Sequence, residues 1–416
     1  MTSRTAGRWW RPDRSLSVFS VWLSLPQLIT WGCVFYTFSL LMGPLEAELG
    51  MSRSESSLAF SLALLSEGLA AWWIGRWIDR GHERRVMTLG SIWVGLGLLM
   101  HSQVQSVAAF YAVWIWLGLG LSATLYAPAF AVVTRRFGAE FRRAILILSF
   151  LGGLASTVFI PLGTASIAWW GWRDTLLVWA LLQLALNAPL HAWLLQGASP
   201  PKAPAATDRH AGASAPPAPS RSLRMHLRRS PFWLLGFYIL TMMGVTSALP
   251  AHMIRLLSES GLPMAWVVAI PALIGVIQVA GRLVLFVFER HWDVHTSNRW
   301  IVALIPLALL ALILGGTGPV GAALFVILYG LGNGMSTIVK GTAMAQYVSR
   351  DHVGQLNGLL GLPQALARAA APLGLGLLWQ PAGGYQIGLW WMLGLSVMGM
   401  ASLWLAQARA GRQRPL

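Results

Sequence analysis

Apolar runs long enough to cross a bilayer recur from one end of this chain to the other, separated by short polar breaks. A transmembrane helix needs about 20 largely apolar residues. Such runs lie near 20–45, 54–78, 86–104, 107–134, 144–169 and 173–195, and again near 231–254, 263–288, 299–316, 319–347, 353–380 and 384–407. About twelve spans define an all-α integral membrane protein. Composition closes off the alternatives. Only 11% of the 416 residues are charged, against roughly 25% in a soluble domain. The 56% hydrophobic content excludes a disordered chain. A single cysteine, Cys33, excludes a disulfide scaffold and a cysteine-based zinc site.

The formal charge of +16 suggests nucleic acid as a partner, but its distribution argues against that. Arginines cluster before span one (Arg4, Arg8, Arg11, Arg14), after span two (Arg76, Arg80, Arg84, Arg85) and after span four (Arg135, Arg136, Arg142, Arg143). They cluster again after span six and at the C-terminus, whereas the intervening loops hold only Arg53, Arg173 and Arg255. By the positive-inside rule this alternation puts both termini in the cytoplasm. The expected setting is the inner membrane of a bacterium.

The pattern divides the chain into a tail (1–19), a first six-helix bundle (20–195), a Pro- and Ala-rich linker (196–229), a second six-helix bundle (230–408) and a short tail (409–416). Pro200, Pro201, Pro204, Pro216, Pro217 and Pro219 make the linker an extended segment rather than packed structure. The halves echo one another. Asp79-Arg80 closes span two and Glu289-Arg290 closes span eight; Gly118-Leu119-Gly120 in span four recurs as Gly330-Leu331-Gly332 in span ten. Duplicated halves are a known transporter architecture.

The stretch Gly75-Arg-Trp-Ile-Asp79-Arg80-Gly81-His-Glu-Arg84-Arg85 resembles the signature loop of the major facilitator superfamily. Gly75 is expected to allow close approach of a neighbouring helix. Asp79 is placed to cap a helix or pair with an arginine, and Arg84-Arg85 to meet the anionic leaflet. The resemblance implies that this loop, with its counterpart Glu289-Arg290, latches the state change. Thr134-Arg135-Arg136-Phe137, Arg142-Arg143-Ala144, Gly171-Trp172-Arg173 and Gly281-Arg282 are similar to the monocarboxylate-transporter-like branch. That branch implies an arginine in span eight facing an anionic substrate, here Arg282. Drug/proton antiporters of the superfamily carry an arginine in span four, and Val107–Val133 has none. The chain has no Gly-x-x-x-x-Gly-Lys-Ser/Thr phosphate loop, which argues against drive by ATP.

Ionisable residues within spans cost at least about 2.5–3.5 kcal/mol each, so they default to functional candidates. Glu67, Arg282, Lys340 and Arg368 stand out. Three cations against one acid suggest an anion site. The resemblance places Lys340 in the cavity wall. Structural ties to backbone carbonyls or to Glu67 are the competing reading for Arg282 and Arg368. Glu67 is either a proton carrier or a permanent salt-bridge partner. Tyr36, Tyr126, Gln278 and Asn333 are candidate hydrogen-bond donors to a substrate, and His252 and Arg255 flank the outer end of span seven. His291 and His295 have metal-ligand spacing but lack the Glu of a His-Glu-x-x-His motif, so no metal or cofactor is expected. The resulting expectation is a monomeric secondary transporter, not an enzyme, moving a small organic anion with protons through the lipid bilayer. The alternative is an exporter of a hydrophobic or cationic compound.

Overall fold

A computed structural model describes residues 15–137, 141–197, 225–288, 294–315, 319–349 and 353–411. Among these residues nine helices are long and apolar enough to cross a membrane. One of them runs 52 residues, from Arg143 to Leu194. At 1.5 Å per residue that is roughly 78 Å of helix, more than twice a hydrocarbon core. It breaks at Gly171, whose φ of 80° only glycine adopts without strain, and so makes two passes. Two more helices, Glu83–Ser102 and Val353–Leu377, pack among the rest.

Twelve helices result: α1 (Leu16–Leu49), α2 (Arg53–Asp79), α3 (Glu83–Ser102), α4 (Val107–Phe137), α5 (141–170), α6 (172–194), α7 (Ser230–Glu259), α8 (Met264–Phe288), α9 (Val294–Gly315), α10 (Pro319–Tyr347), α11 (Val353–Leu377) and α12 (Gln386–Gly411). Even-numbered passing leaves Leu16 and Gly411 on one face, called here the termini face; the opposite one is the far face. Within α1 the stretch Trp31–Tyr36 is a π-helix. α4 bends at Leu125 and α5 at Leu154.

Four spans differ from the sequence expectation by four or five residues at an end, among them α7, which runs to Glu259 instead of 254, and α12, which runs to Gly411 instead of 407. α1 extends beyond 20–45 at both ends, and its last turns carry Glu46 and Glu48, which pair with Arg53 and Arg173. α9 starts at Val294 instead of 299, since polar Asn298 is buried and donates to Tyr347 Oη at 2.8 Å. Most of the linker, residues 198–224, and the N-terminal tail with its first four arginines lie outside the described residues.

The glycine echo has a packing basis. A Cβ at Gly118 would strike Ala63 and Ser66 of α2, and one at Gly120 would strike Trp93 and Val94 of α3. In the second bundle Gly330 faces Ile277 of α8 and Gly332 faces Leu304 and Ile305 of α9. Each Gly-x-Gly therefore admits the same two neighbours in its own half. Small residues are what let membrane helices approach this closely.

Candidate functional site

On the far face the two bundles are joined by a charged network. Arg53, at the start of α2, is buried, with a 4% exposed side chain. Its Nε donates to Glu46 at 2.9 Å, its Nη1 to Tyr385 Oη at 2.6 Å and its Nη2 to Glu259 at 2.9 Å. Arg255 Nη2 reaches back to Glu46 at 3.1 Å. Trp379 Nε1 donates to Glu259 at 2.8 Å. The fully buried His252 lies 2.9 Å from Tyr385 Oη, 2.9 Å from the Pro372 carbonyl and 3.2 Å from Ser57 Oγ. Burial pushes the Tyr385 phenol up from its ordinary pKa, with Arg53 pulling the other way. Residues from α1 and α2 thus bind residues from α7, α11 and the turn before α12. Charge-assisted bonds in a half-dry setting are stronger than neutral ones.

Further along the same seam, Arg368 of α11 grips Glu67 of α2 through two bonds, Nη1 to Oε1 at 3.3 Å and Nη2 to Oε2 at 3.1 Å. The side chains are 21% and 14% exposed. Gly68 and Ala365 touch beside this pair. Beyond it the helices part. Among the described residues, a Cβ at Gly75 or at Gly361 would meet nothing within 4 Å. Trp72, Trp73, Arg76 and Trp77 of α2 are all exposed. Close approach at Gly75, expected from the sequence, is therefore absent from this conformation; the contact is made at Gly68 instead.

Between the far-face network and the open end lies a polar patch. α5 is interrupted at Leu154, and carbonyls beside that break accept bonds from α8. Gln278 Nε2 donates to Gly153 O at 2.9 Å and Arg282 Nη1 to Ser149 O at 2.6 Å. Asn333 Nδ2 of α10 donates to Gln278 Oε1 at 3.2 Å. Tyr36 of α1 faces Gln278 and Ser156, and Tyr126 of α4 faces Arg282. Residues singled out separately in the sequence are thus brought together.

Lys340 lies on the same wall. Val320, Leu324 and Ile327 form the exposed apolar stripe of α10, whereas Asn333, Thr337 and Lys340 fall on the opposite side at the same helical spacing. Thr337 is nonetheless exposed. Arg282 and Arg368 both act electrostatically on Lys340. Its hydrogen-bond partner among the described residues is the thioether of Met243, at 3.5 Å. Arg282 Nε and Trp31 Nε1 are buried without partners among the described residues. An unmet buried donor costs about 1–3 kcal/mol, more when charged. A cluster of them is a place for an acceptor-rich guest.

The signature loop is held differently. Gly81 has φ 86°; its N–H bonds the Ile78 carbonyl at 2.8 Å and the His82 N–H bonds Trp77 at 3.1 Å, the paired bonds of a Schellman ending. Arg135 of α4 also donates to the Ile78 carbonyl and lies 3.7 Å from Glu83. Arg84 Nε donates to Ala192 O of α6 at 2.8 Å, while the side chains of Arg80 and Arg85 are exposed. The Asp79 side chain, Glu289 and Arg290 lie outside the described residues, as do His291 and Asp293.

Sequence reasoning missed the far-face network. Glu46, Glu48 and Glu55, the three acids around the turn between α1 and α2, take separate roles. In the structure Glu48 pairs with Arg173 at 2.8 Å and Glu55 accepts from Ser52 N at 2.8 Å as a helix cap. The available signal was positional, since Glu46 and Glu259 close the first helix of each bundle.

Two six-helix bundles packed around an interior cationic patch, sealed on one face and parted on the other, define a polytopic membrane carrier. The sequence model of the Major Facilitator Superfamily matches residues 27–372, and the chain belongs to that superfamily. An uncharacterized MFS-type transporter, YcxA of Bacillus subtilis (strain 168), is 24% identical over 172 residues, spanning 41% of this chain and 42% of that relative. The fold is similar to that of the nucleoside transporter NupG (D323A mutant), with a TM-score of 0.71 at 15% identity, covering 94% of this chain and 100% of that one. It is also similar to a bacterial homolog of the human lysosomal transporter Spinster in an inward-facing, unoccupied conformation, with a TM-score of 0.69 at 15% identity, covering 96% and 98%. The human organic anion transporter MFSD10 aligns with a TM-score of 0.59 at 18% identity, covering 93% and 97%.

Proposed function

We propose that this protein is a secondary transporter of a small organic anion, a monocarboxylate moved together with protons. One observation carries the reading: Arg282 Nε is buried without an acceptor among the described residues and Lys340 has only the Met243 thioether given as its partner, while Glu67 is already taken by Arg368. The patch is left with net positive charge. A guanidinium edge and an ammonium match a carboxylate, whereas a cationic passenger would meet repulsion.

Glu67 is the proton carrier in this reading. Protonation discharges the carboxylate and releases Arg368, which then adds a third cation to the wall. Proton and carboxylate together carry no net charge, which lowers the cost of crossing a low-dielectric interior. The two bundles rock about the midplane patch, and the far-face network opens as the α2–α11 seam closes toward Gly75. In this reading the termini face, which carries the basic loops, lies in the cytoplasm of a bacterial inner membrane, as the positive-inside rule favours, and the arrangement described is the inward-facing half of the cycle. The protein acts as a monomer, each copy holding a whole patch.

Counterflow in proteoliposomes tests this. Vesicles preloaded with unlabelled carboxylate should accumulate the labelled compound with wild-type protein, and Arg282→Gln should abolish it. Absence of counterflow for every carboxylate tried, or wild-type rates in Arg282→Gln, would refute the proposal.

A further inference from the structure

The wall facing Arg282 is aromatic, and its form follows from the π-helical stretch of α1. In an α-helix residues five apart point about 140° away from each other. The wider turn of i→i+5 bonding swings them toward one side. Trp31 and Tyr36 are the two ends of that stretch. Tyr36 faces Gln278. The Trp31 ring lies 5.4 Å from that of Tyr126, which faces Arg282. Tyr126 in turn stacks on Phe130 at 5.2 Å with ring planes 16° apart. Trp31, Tyr36 and Tyr126 each keep part of their surface uncovered, while Phe35 is buried behind them. The Trp31 indole N–H is buried and has no acceptor in the described chain.

We infer that the passenger is an aromatic carboxylate, its ring lying against Trp31 and its carboxylate reaching Arg282. This rests on the anion reading above and narrows it. An aromatic face is negative and an edge positive, so rings prefer offset or edge-on partners. The same faces repel a carboxylate, which the guanidinium attracts. The two walls therefore orient a guest that is flat at one end and anionic at the other. A short aliphatic acid satisfies Arg282 but leaves the aromatic wall bare.

The test compares benzoate, cyclohexanecarboxylate and lactate by isothermal titration with the purified full-length protein in nanodiscs. Benzoate and cyclohexanecarboxylate share charge and size but differ in planarity. Benzoate should bind about two- to tenfold tighter, the increment expected of an aromatic pair. Trp31→Leu should erase the difference and Trp31→Phe should keep it. Equal affinities in the wild type, or a preference that survives Trp31→Leu, overturn the inference, and the wild-type comparison does so without any variant needing to fold. Binding of lactate alone overturns it while leaving the anion reading standing. If none of the three binds, the anion reading falls and takes this inference with it.

Discussion

Arg368 meets both carboxylate oxygens of Glu67, at 3.3 and 3.1 Å, at the point where α2 and α11 cease to touch. In the proposed cycle the pair is both a stitch across the seam and the place where the proton acts. Glu67→Gln should leave Arg368 facing an amide. Breaking one side of a half-buried pair leaves a charge without its partner, at less than the roughly 3–5 kcal/mol of a fully buried pair, so the melting temperature should fall and Arg368→Gln in the same chain should recover most of it. The double-mutant comparison by scanning fluorimetry reads this directly. In vesicles Glu67→Gln should no longer respond to a pH gradient, with counterflow retained.

Arg53 holds Glu46, Glu259 and Tyr385 at once. Arg53→Gln should loosen the far face and shift the population toward the state open there. With Ser57→Cys in a Cys33→Ala background, labelling by a membrane-impermeant maleimide should rise about tenfold or more, given the 2–5 kcal/mol typical of truncating such a pair. Unchanged labelling would mean that the network does not seal.

Arg282 and Lys340 should differ in tolerance. Arg282→Lys keeps the charge but loses the fork that serves Ser149 and the open Nε edge together. Carboxylate affinity should drop about tenfold or more, the worth of a charged hydrogen bond. Lys340→Arg should bind nearly as well as wild type, because a lysine acts as a point charge. Titration calorimetry separates the two.

Gly75 and Gly334 make opposite predictions. A Cβ at Gly334 runs into the Gln278 carbonyl, so Gly334→Ala should destabilise by about 1–3 kcal/mol through overpacking. Gly75 has open space around it, and Gly75→Leu should melt at or above the wild-type temperature, since helix propensity improves by up to about 1 kcal/mol. It should nevertheless slow transport, because α2 must close there when the far face opens. Normal transport rates in Gly75→Leu would contradict that closure.

Much of this was legible in the sequence because membrane helices announce themselves. A bilayer demands long apolar runs, and those runs gave the twelve passes and even the break at Gly171. The intramembrane charges were legible for the same reason: Glu67, Arg282, Lys340 and Arg368 are conspicuous against an apolar background. Their pairing was not. Nothing in the sequence distinguishes the arginine that grips Glu67 from the one that holds the α5 carbonyls, since that choice depends on how α2 meets α11 and α5 meets α8. The far-face network was hidden differently. Arg53, Glu46 and Glu259 sit at helix ends, where charges are ordinarily solvated, and only the contact of the two bundles buries them. The π-helical turn at Trp31–Tyr36 left no local signal, since its composition does not set it apart from the other apolar runs of the chain.

Gly171 is all that connects α5 to α6. A joint so short leaves no slack, so a tilt of the part of α5 that follows Leu154 must carry α6 with it. In the proposed cycle, movement of that segment would be shared by both legs of one hairpin instead of being absorbed in a loop.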